Sequence, residues 1–205
     1  MVSSTNSRGL ATAASSQATA VKSRTEFESR DTELAGDLAA GKVTVSDYYV
    51  MRDETLQTYL DELPPDAALR RAHAYWQNLN ERGSLPARRD IDPTEVGGET
   101  LPHIVLIDVE EEPIRRFRYR LVGTSVAKIF GADYTGKYLD EMGLGKVFDR
   151  VKALYSLICA EPSPALLTGT YIAKSGAAFQ VTRMAMPLSS DGKSVDTLFC
   201  VVDRT

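Results

Sequence analysis

The chain has two cysteines and two histidines in 205 residues, and that scarcity excludes several chemistries. Cys159 and Cys200 lie far apart in apolar surroundings, LICAE and LFCVV. A disulfide framework needs an oxidising compartment and usually more cysteines, so both read as reduced, buried thiols of a cytoplasmic protein. No Cys–His or His–His spacing matches a zinc site, so no metal is assigned. His73 and His103 are the side chains suited to proton transfer near neutral pH. His73 falls on the polar side of RRAHAYW, and His103 follows Pro102 at the start of a strand. A haem-ligand role for His103 is the weaker alternative to a capping or surface role. No apolar run is long enough to span a bilayer, and no apolar segment follows Met1 as in a secretory signal. Basic charge is also short, with 24 Lys and Arg against 28 Asp and Glu, net −4. Nucleic acid is therefore excluded as the main partner, because phosphate neutralisation needs a broadly basic surface.

What is present suits one soluble domain with an extension. Hydrophobic residues make up 43% and charged residues 25%, enough to bury a core without metal or disulfide staples. Residues 1–25 are rich in Ser, Thr and Ala and contain no acidic residue. They read as a disordered tail, with a mitochondrial transit peptide as the alternative. Residues 26–63 read as a helical extension. EFESRDTELAGDLAAG stops at Gly41. TVSDYYVMRDETLQTYLDEL takes Thr44 or Ser46 as N-cap and sets Tyr49, Leu56, Tyr59, Leu60 and Leu63 on one stripe before Pro64 and Pro65.

The pattern of residues 64–205 is that of a second unit. A helix carrying Tyr75 and Trp76 ends at Gly83. IVLIDVE and RRFRYRLVG then read as strands joined by an acidic EEPI turn. In the second strand, period-two alternation puts Phe117, Tyr119 and Leu121 on one face and Arg116, Arg118 and Arg120 on the other. TSVAKIFG and KVFDRVKALYSLICAE read as helices, followed by three strands with turns at Ser175-Gly176 and Asp191-Gly192. That order is α+β, an antiparallel sheet covered by helices on one face.

Particular residues sharpen this reading. Trp76 on its helix, Leu85–Arg88 with Asp90–Pro93 (LPAR and DIDP), and Arg118–Thr124 followed by Phe130, Gly131, Asp133, Thr135, Gly136 and Leu139 occur in order. Together with MPLSSDGKSVDTL they resemble the compact stand-alone PAS family common in alphaproteobacteria, over roughly residues 67–205. The resemblance implies a PAS-like five-stranded antiparallel sheet enclosing a core that often holds a ligand cavity. It puts Phe117, Tyr119 and Leu121 inside and the arginines on the outer face, where such domains receive a flanking helix or a second subunit. Asp53, Glu54, Asp61 and Glu62 are then candidate partners for the arginine stripe, with a solvated strand face as the alternative.

Other motifs carry less. DGKS lacks the upstream glycine of a phosphate loop, since Pro187 stands there, and reads as a turn. MGLGK reads as the approach to a helix rather than an anion site. Asp140 and Glu141 are adjacent and diverge. No cysteine stands in a flavin-adduct motif, and Cys159 reads as core. No cofactor is assigned and no catalytic constellation emerges, so the expected function is a non-enzymatic regulatory or sensory module that signals through a protein partner. The cavity candidates are Phe117, Tyr119, Leu121, Phe148, Val151, Tyr155 and Met184, enclosing a small ligand; the alternative is a ligand-free adaptor in which they close-pack. Interface candidates are Arg116, Arg118 and Arg120 with Tyr49, Leu56, Tyr59, Leu60 and Leu63, in a homodimer built on the helical stripe and the outer sheet face.

Overall fold

The computed structural model describes residues 49–80, 84–143, 146–172 and 177–204. Residues 1–48, including the expected tail and the helix ending at Gly41, lie outside them, as does the Ser175-Gly176 turn. In chain order the elements are β1 (Tyr49–Arg52), α1 (Asp53–Glu62), α2 (Ala68–Asn80), α3 (Pro93–Val96), β2 (Ile104–Glu110) and β3 (Arg116–Val122). There follow α4 (Thr124–Phe130), α5 (Lys146–Ala160), β4 (Ala165–Ile172), β5 (Ala178–Leu188) and β6 (Thr197–Arg204). The strands form one antiparallel sheet in the order β1-β4-β5-β6-β2-β3. The PAS-like α+β sheet expected from the sequence is therefore present, with β1 added at its edge.

Successive residues of a strand face opposite ways, and here both faces are buried. On the inner face Val105, Ile107, Phe117, Tyr119, Leu167, Ala185 and Val202 pack with Val151, Leu154, Tyr155 and Ile158 of α5 and Val126 of α4. On the outer face Leu106, Leu166, Met184, Met186, Phe199 and Val201 pack with Leu56 and Leu60 of α1 and Leu69, Ala72 and Trp76 of α2. Helices thus cover the sheet on two faces, not one. The stripe that suggested a second subunit is buried within the chain, where each fully buried leucine contributes about 1.5–3 kcal/mol.

The N-terminal reading needs two corrections. Tyr49 does not belong to the helical stripe; it lies on β1, opposite Thr168 of β4, and is 47% exposed. The helix starts at Asp53, so its first turn is closed by Arg52 and Thr55, whose hydroxyl accepts from the Arg52 N–H at 3.1 Å and donates to the Arg52 carbonyl at 2.6 Å. Arg52 stands at its N-cap position, and the cap candidates Thr44 and Ser46 lie outside the described residues. His73 is also not on a polar face: it is buried on α2, and burial lowers its pKa below the ordinary 6.5 despite the opposing charge of Asp61.

The residues that carried the family resemblance are mostly fold devices. Trp76 Nε1 donates to the Pro187 carbonyl at 2.9 Å, pinning α2 to the sheet. Pro187 stands past the end of the β4 pairing, which stops at Ala185, so its missing N–H breaks no ladder there. Asp90 caps Ala87 N at 2.8 Å, and Asp92 caps Thr94 N at 2.8 Å. Asp133 accepts from the Thr135 N–H and hydroxyl. Gly131 ends α4 at φ 71°, in the left-handed region that glycine enters without strain. The DGKS turn is held by Asp191, which accepts from the backbone of Lys193 and Ser194, and these bonds keep its carboxyl far below the usual range. The turn reading is thereby met.

Gly123 is required for a different reason. A Cβ there would lie 2.2 Å from the Pro102 carbonyl oxygen, far inside contact distance. Gly123→Ala is expected to destabilise the protein by about 1–3 kcal/mol in chemical denaturation, the usual cost of overpacking. A second expectation concerns pH. Because the folded pKa of His73 is depressed, its contribution is complete above about 6.5 and is lost as pH falls through the folded value. His73→Gln should flatten the loss of stability between neutral and mildly acidic pH, as measured by denaturant midpoints.

Candidate functional site

The inner face is not filled everywhere. Between β3, β4 and β5 on one side and α4 and α5 on the other lies a partly open cavity of about 50 Å³, room for roughly three to five waters. Its walls are Tyr119 and Val122 of β3, Val126 and Phe130 of α4, Val147 and Val151 of α5, Leu167, Gly169 and Tyr171 of β4, and Val181 and Arg183 of β5, with Tyr134 and Met142 from the intervening loop. Gly169 stands on the inner face between Leu167 and Tyr171, where a side chain would project into the space; glycine within a strand often marks the close approach of another group.

The polar features are few. Arg183 pairs with Leu167 of β4 and Val202 of β6, and both are inner-face residues. Its side chain therefore rises into the apolar interior, where it is 7% exposed. The guanidinium carbon lies 5.9 Å from the ring centres of both Phe130 and Tyr155, within reach of a cation–π attraction. The hydroxyls of Tyr119 and Tyr155 face each other at 3.5 Å, longer than a full hydrogen bond. Burial pushes the Tyr155 hydroxyl well above its ordinary 10.0, with Arg183 opposing. Burial likewise pushes the Cys200 thiol up to about 12 and Cys159 to about 11, so neither is poised as a nucleophile. Among the described residues no cluster of His, Cys, Asp or Glu could hold a metal ion, and no helix is long and apolar enough to cross a membrane.

The sequence candidates divide between cavity, core and opposite face. Tyr119 and Val151 line the cavity. Phe117 and Tyr155 are buried beside it, their rings edge to face at 5.2 Å, and Phe148 packs half-buried against the same core. Leu121 and Met184 do not belong. The β2–β3 register shifts at Leu106/Ile107, so Ile107 opposes Tyr119 while Leu106 opposes Leu121. This bulge puts one extra residue, Arg120, into β3 and turns Leu121 outward, 41% exposed, while Val122 takes the inward place. Met184 is buried on the outer face beneath α2, and its neighbour Arg183 is the inward residue. A single arginine inside AFQVTRMAMPL was the available signal.

The arginine stripe does face outward, but its partners are not the acids of α1. Arg118 Nη2 donates to Asp108 at 2.7 Å and its Nε to Glu110 at 2.9 Å, while Arg120 Nε donates to Asp108 at 2.6 Å. Arg116 binds Asp140 through two bonds of 2.9 and 2.7 Å and lies 3.6 Å over the Tyr138 ring. The Tyr138 hydroxyl donates to Glu110 at 2.8 Å; together with Arg118 it holds that carboxyl below its usual range. The stripe thus ties β3 to β2 and to the 138–141 turn. Of the remaining interface candidates, Leu56 and Leu60 are buried against the sheet, and Tyr59 and Leu63 are half-buried beside them.

An antiparallel sheet in this order, with helices between β3 and β4 closing a cavity over its inner face, is the architecture of the PAS-like class. The family model described as a PAS domain matches residues 65–202, and the chain belongs to that family. No curated protein matches the chain. PAS domains are generally sensory modules, and that coarse role extends to this one.

Removing a buried charge strands the groups it interacts with, and the Arg183 guanidinium carbon lies 5.9 Å from the Phe130 and Tyr155 ring centres. Arg183→Met should therefore lower the melting temperature by a few degrees; an unchanged or higher value would show that the guanidinium does not help hold the inner face together.

Proposed function

We propose that this protein is a non-enzymatic sensory module that binds a small molecule in the inner-face cavity and passes its occupancy to a partner protein. The observation that carries the reading is a partly open apolar space kept clear by Gly169 and furnished with few polar groups, the usual character of a small-molecule site. A close-packed core would have no such gap. Catalysis is a weaker reading, since among the described residues lining the cavity there is no nucleophile paired with a base. The covering of the outer face by α1 and α2 removes the reason for placing a homodimer on that stripe. The adaptor alternative differs in one respect: its core would carry nothing.

Native mass spectrometry of gently purified protein separates the two. A reproducible additional mass is expected, and Gly169→Val should abolish it without loss of stability, because a β-branched residue suits a strand better than glycine. Absence of any additional mass across independent preparations would favour the ligand-free adaptor.

A further inference from the structure

Resting on the ligand-binding reading, we infer that the segment 134–142 is the wall that yields to a ligand and carries occupancy of the cavity outward to the charged edge of β3. The segment joins the two places. Tyr134 and Met142, at its ends, line the cavity. Between them Leu139 is buried in the inner core. On the outer side Tyr138 donates to Glu110 at 2.8 Å, and Asp140 accepts two bonds from Arg116. The backbone is tied to β3 at Tyr119, itself a cavity residue: Gly136 N donates to the Tyr119 carbonyl at 2.7 Å, and Tyr119 N donates to the Lys137 carbonyl at 2.9 Å.

The other described walls are strands of the sheet or the helices α4 and α5. In 134–142 the regular structure is one three-residue 3-10 turn, Leu139–Glu141, and an isolated bridge from Tyr138 to Arg118. With few ladder bonds to break, this wall moves at the least cost. Room is the reason for movement. The space is about 50 Å³, whereas an apolar cavity that accepts benzene measures about 150 Å³. A ligand of one ring therefore displaces its surroundings, and displacement of Tyr134 or Met142 draws on the bonds of Tyr138 and Asp140.

The test is a ¹H–¹⁵N NMR titration of the full chain with benzene. Backbone amides of Val126, Val151 and Val181 report the cavity, and the Arg116 Nε–H, which donates to Asp140 beside the Tyr138 ring, reports the edge. The Arg115 Nε–H, bonded to Glu111, is the control. Benzene is expected to shift the cavity amides and the Arg116 signal, and to speed solvent exchange of the Arg116 Nε–H at least about fivefold, the low end of coupling between sites. The Arg115 signal should stay in place. In Met142→Ala the cavity amides should still respond and Arg116 should respond less. Cavity amides that shift without Arg116, an equal response at Arg115, or a full Arg116 response in Met142→Ala overturn the inference and leave the ligand-binding reading standing. If benzene shifts no cavity amide, the ligand-binding reading loses support instead. Gly169→Val, which fills the space from β4, then supports the inference by moving the Arg116 signal or overturns it by leaving that signal in place.

Discussion

An antiparallel sheet whose central strands are covered on both faces leaves little wet surface on which a charged residue can be placed. That constraint governs the rest of the structure. Most antiparallel sheets alternate a buried face with a solvated one, but here α1 and α2 close the outer face as α4 and α5 close the inner one. The charges near the sheet are therefore placed in two ways. At the β2–β3 edge, Asp108 is buried yet bound by two arginines whose own side chains reach solvent, so the desolvated carboxylate is satisfied. Within the sheet, Arg183 is buried on a strand flanked by β4 and β6, its guanidinium carbon 5.9 Å from the ring centres of Phe130 and Tyr155.

The cavity follows from the same geometry. The bulge in β3 brings Val122 to the inner face and turns Leu121 away, so a smaller side chain stands where leucine would have filled the space. Gly169 removes another side chain from the neighbouring wall. The aromatic rings of Phe130 and Tyr171 meet edge to face at 5.5 Å with an interplanar angle of 82°, forming one side of the enclosure. Such pairs prefer this arrangement over face-to-face stacking. The gap is thus lined by residues of three strands and two helices, with Tyr134 and Met142 from the intervening loop.

Much of the fold was legible because strand alternation and turn chemistry are local. Period two in RRFRYRLVG placed Phe117 and Tyr119 inside and Arg116 and Arg118 outside, as found. It failed at Leu121 because a bulge depends on the partner strand and leaves no mark in its own residues. It failed again in AFQVTRMAMPL, where both faces are buried: Val181, Arg183 and Ala185 alternate with Thr182, Met184 and Met186, and neither set is clearly the polar one. β1 was hidden because four residues leading directly into a helix can be continued backwards as helix; what makes Tyr49–Arg52 a strand is its pairing with β4, more than a hundred residues away in sequence. The partners of the arginines were missed for a related reason. Asp108 and Glu110 sit on the neighbouring strand at positions that only the register reveals.

The most direct test of this account is where the Arg183 side chain points. Nuclear Overhauser contacts from the Arg183 Nε–H, measured in the full-length protein, are predicted to the ring protons of Phe130 and Tyr155, with slow exchange of that hydrogen against solvent. Contacts instead to Leu60, Trp76 or other outer-face side chains, or exchange as fast as at a surface arginine, would contradict the account.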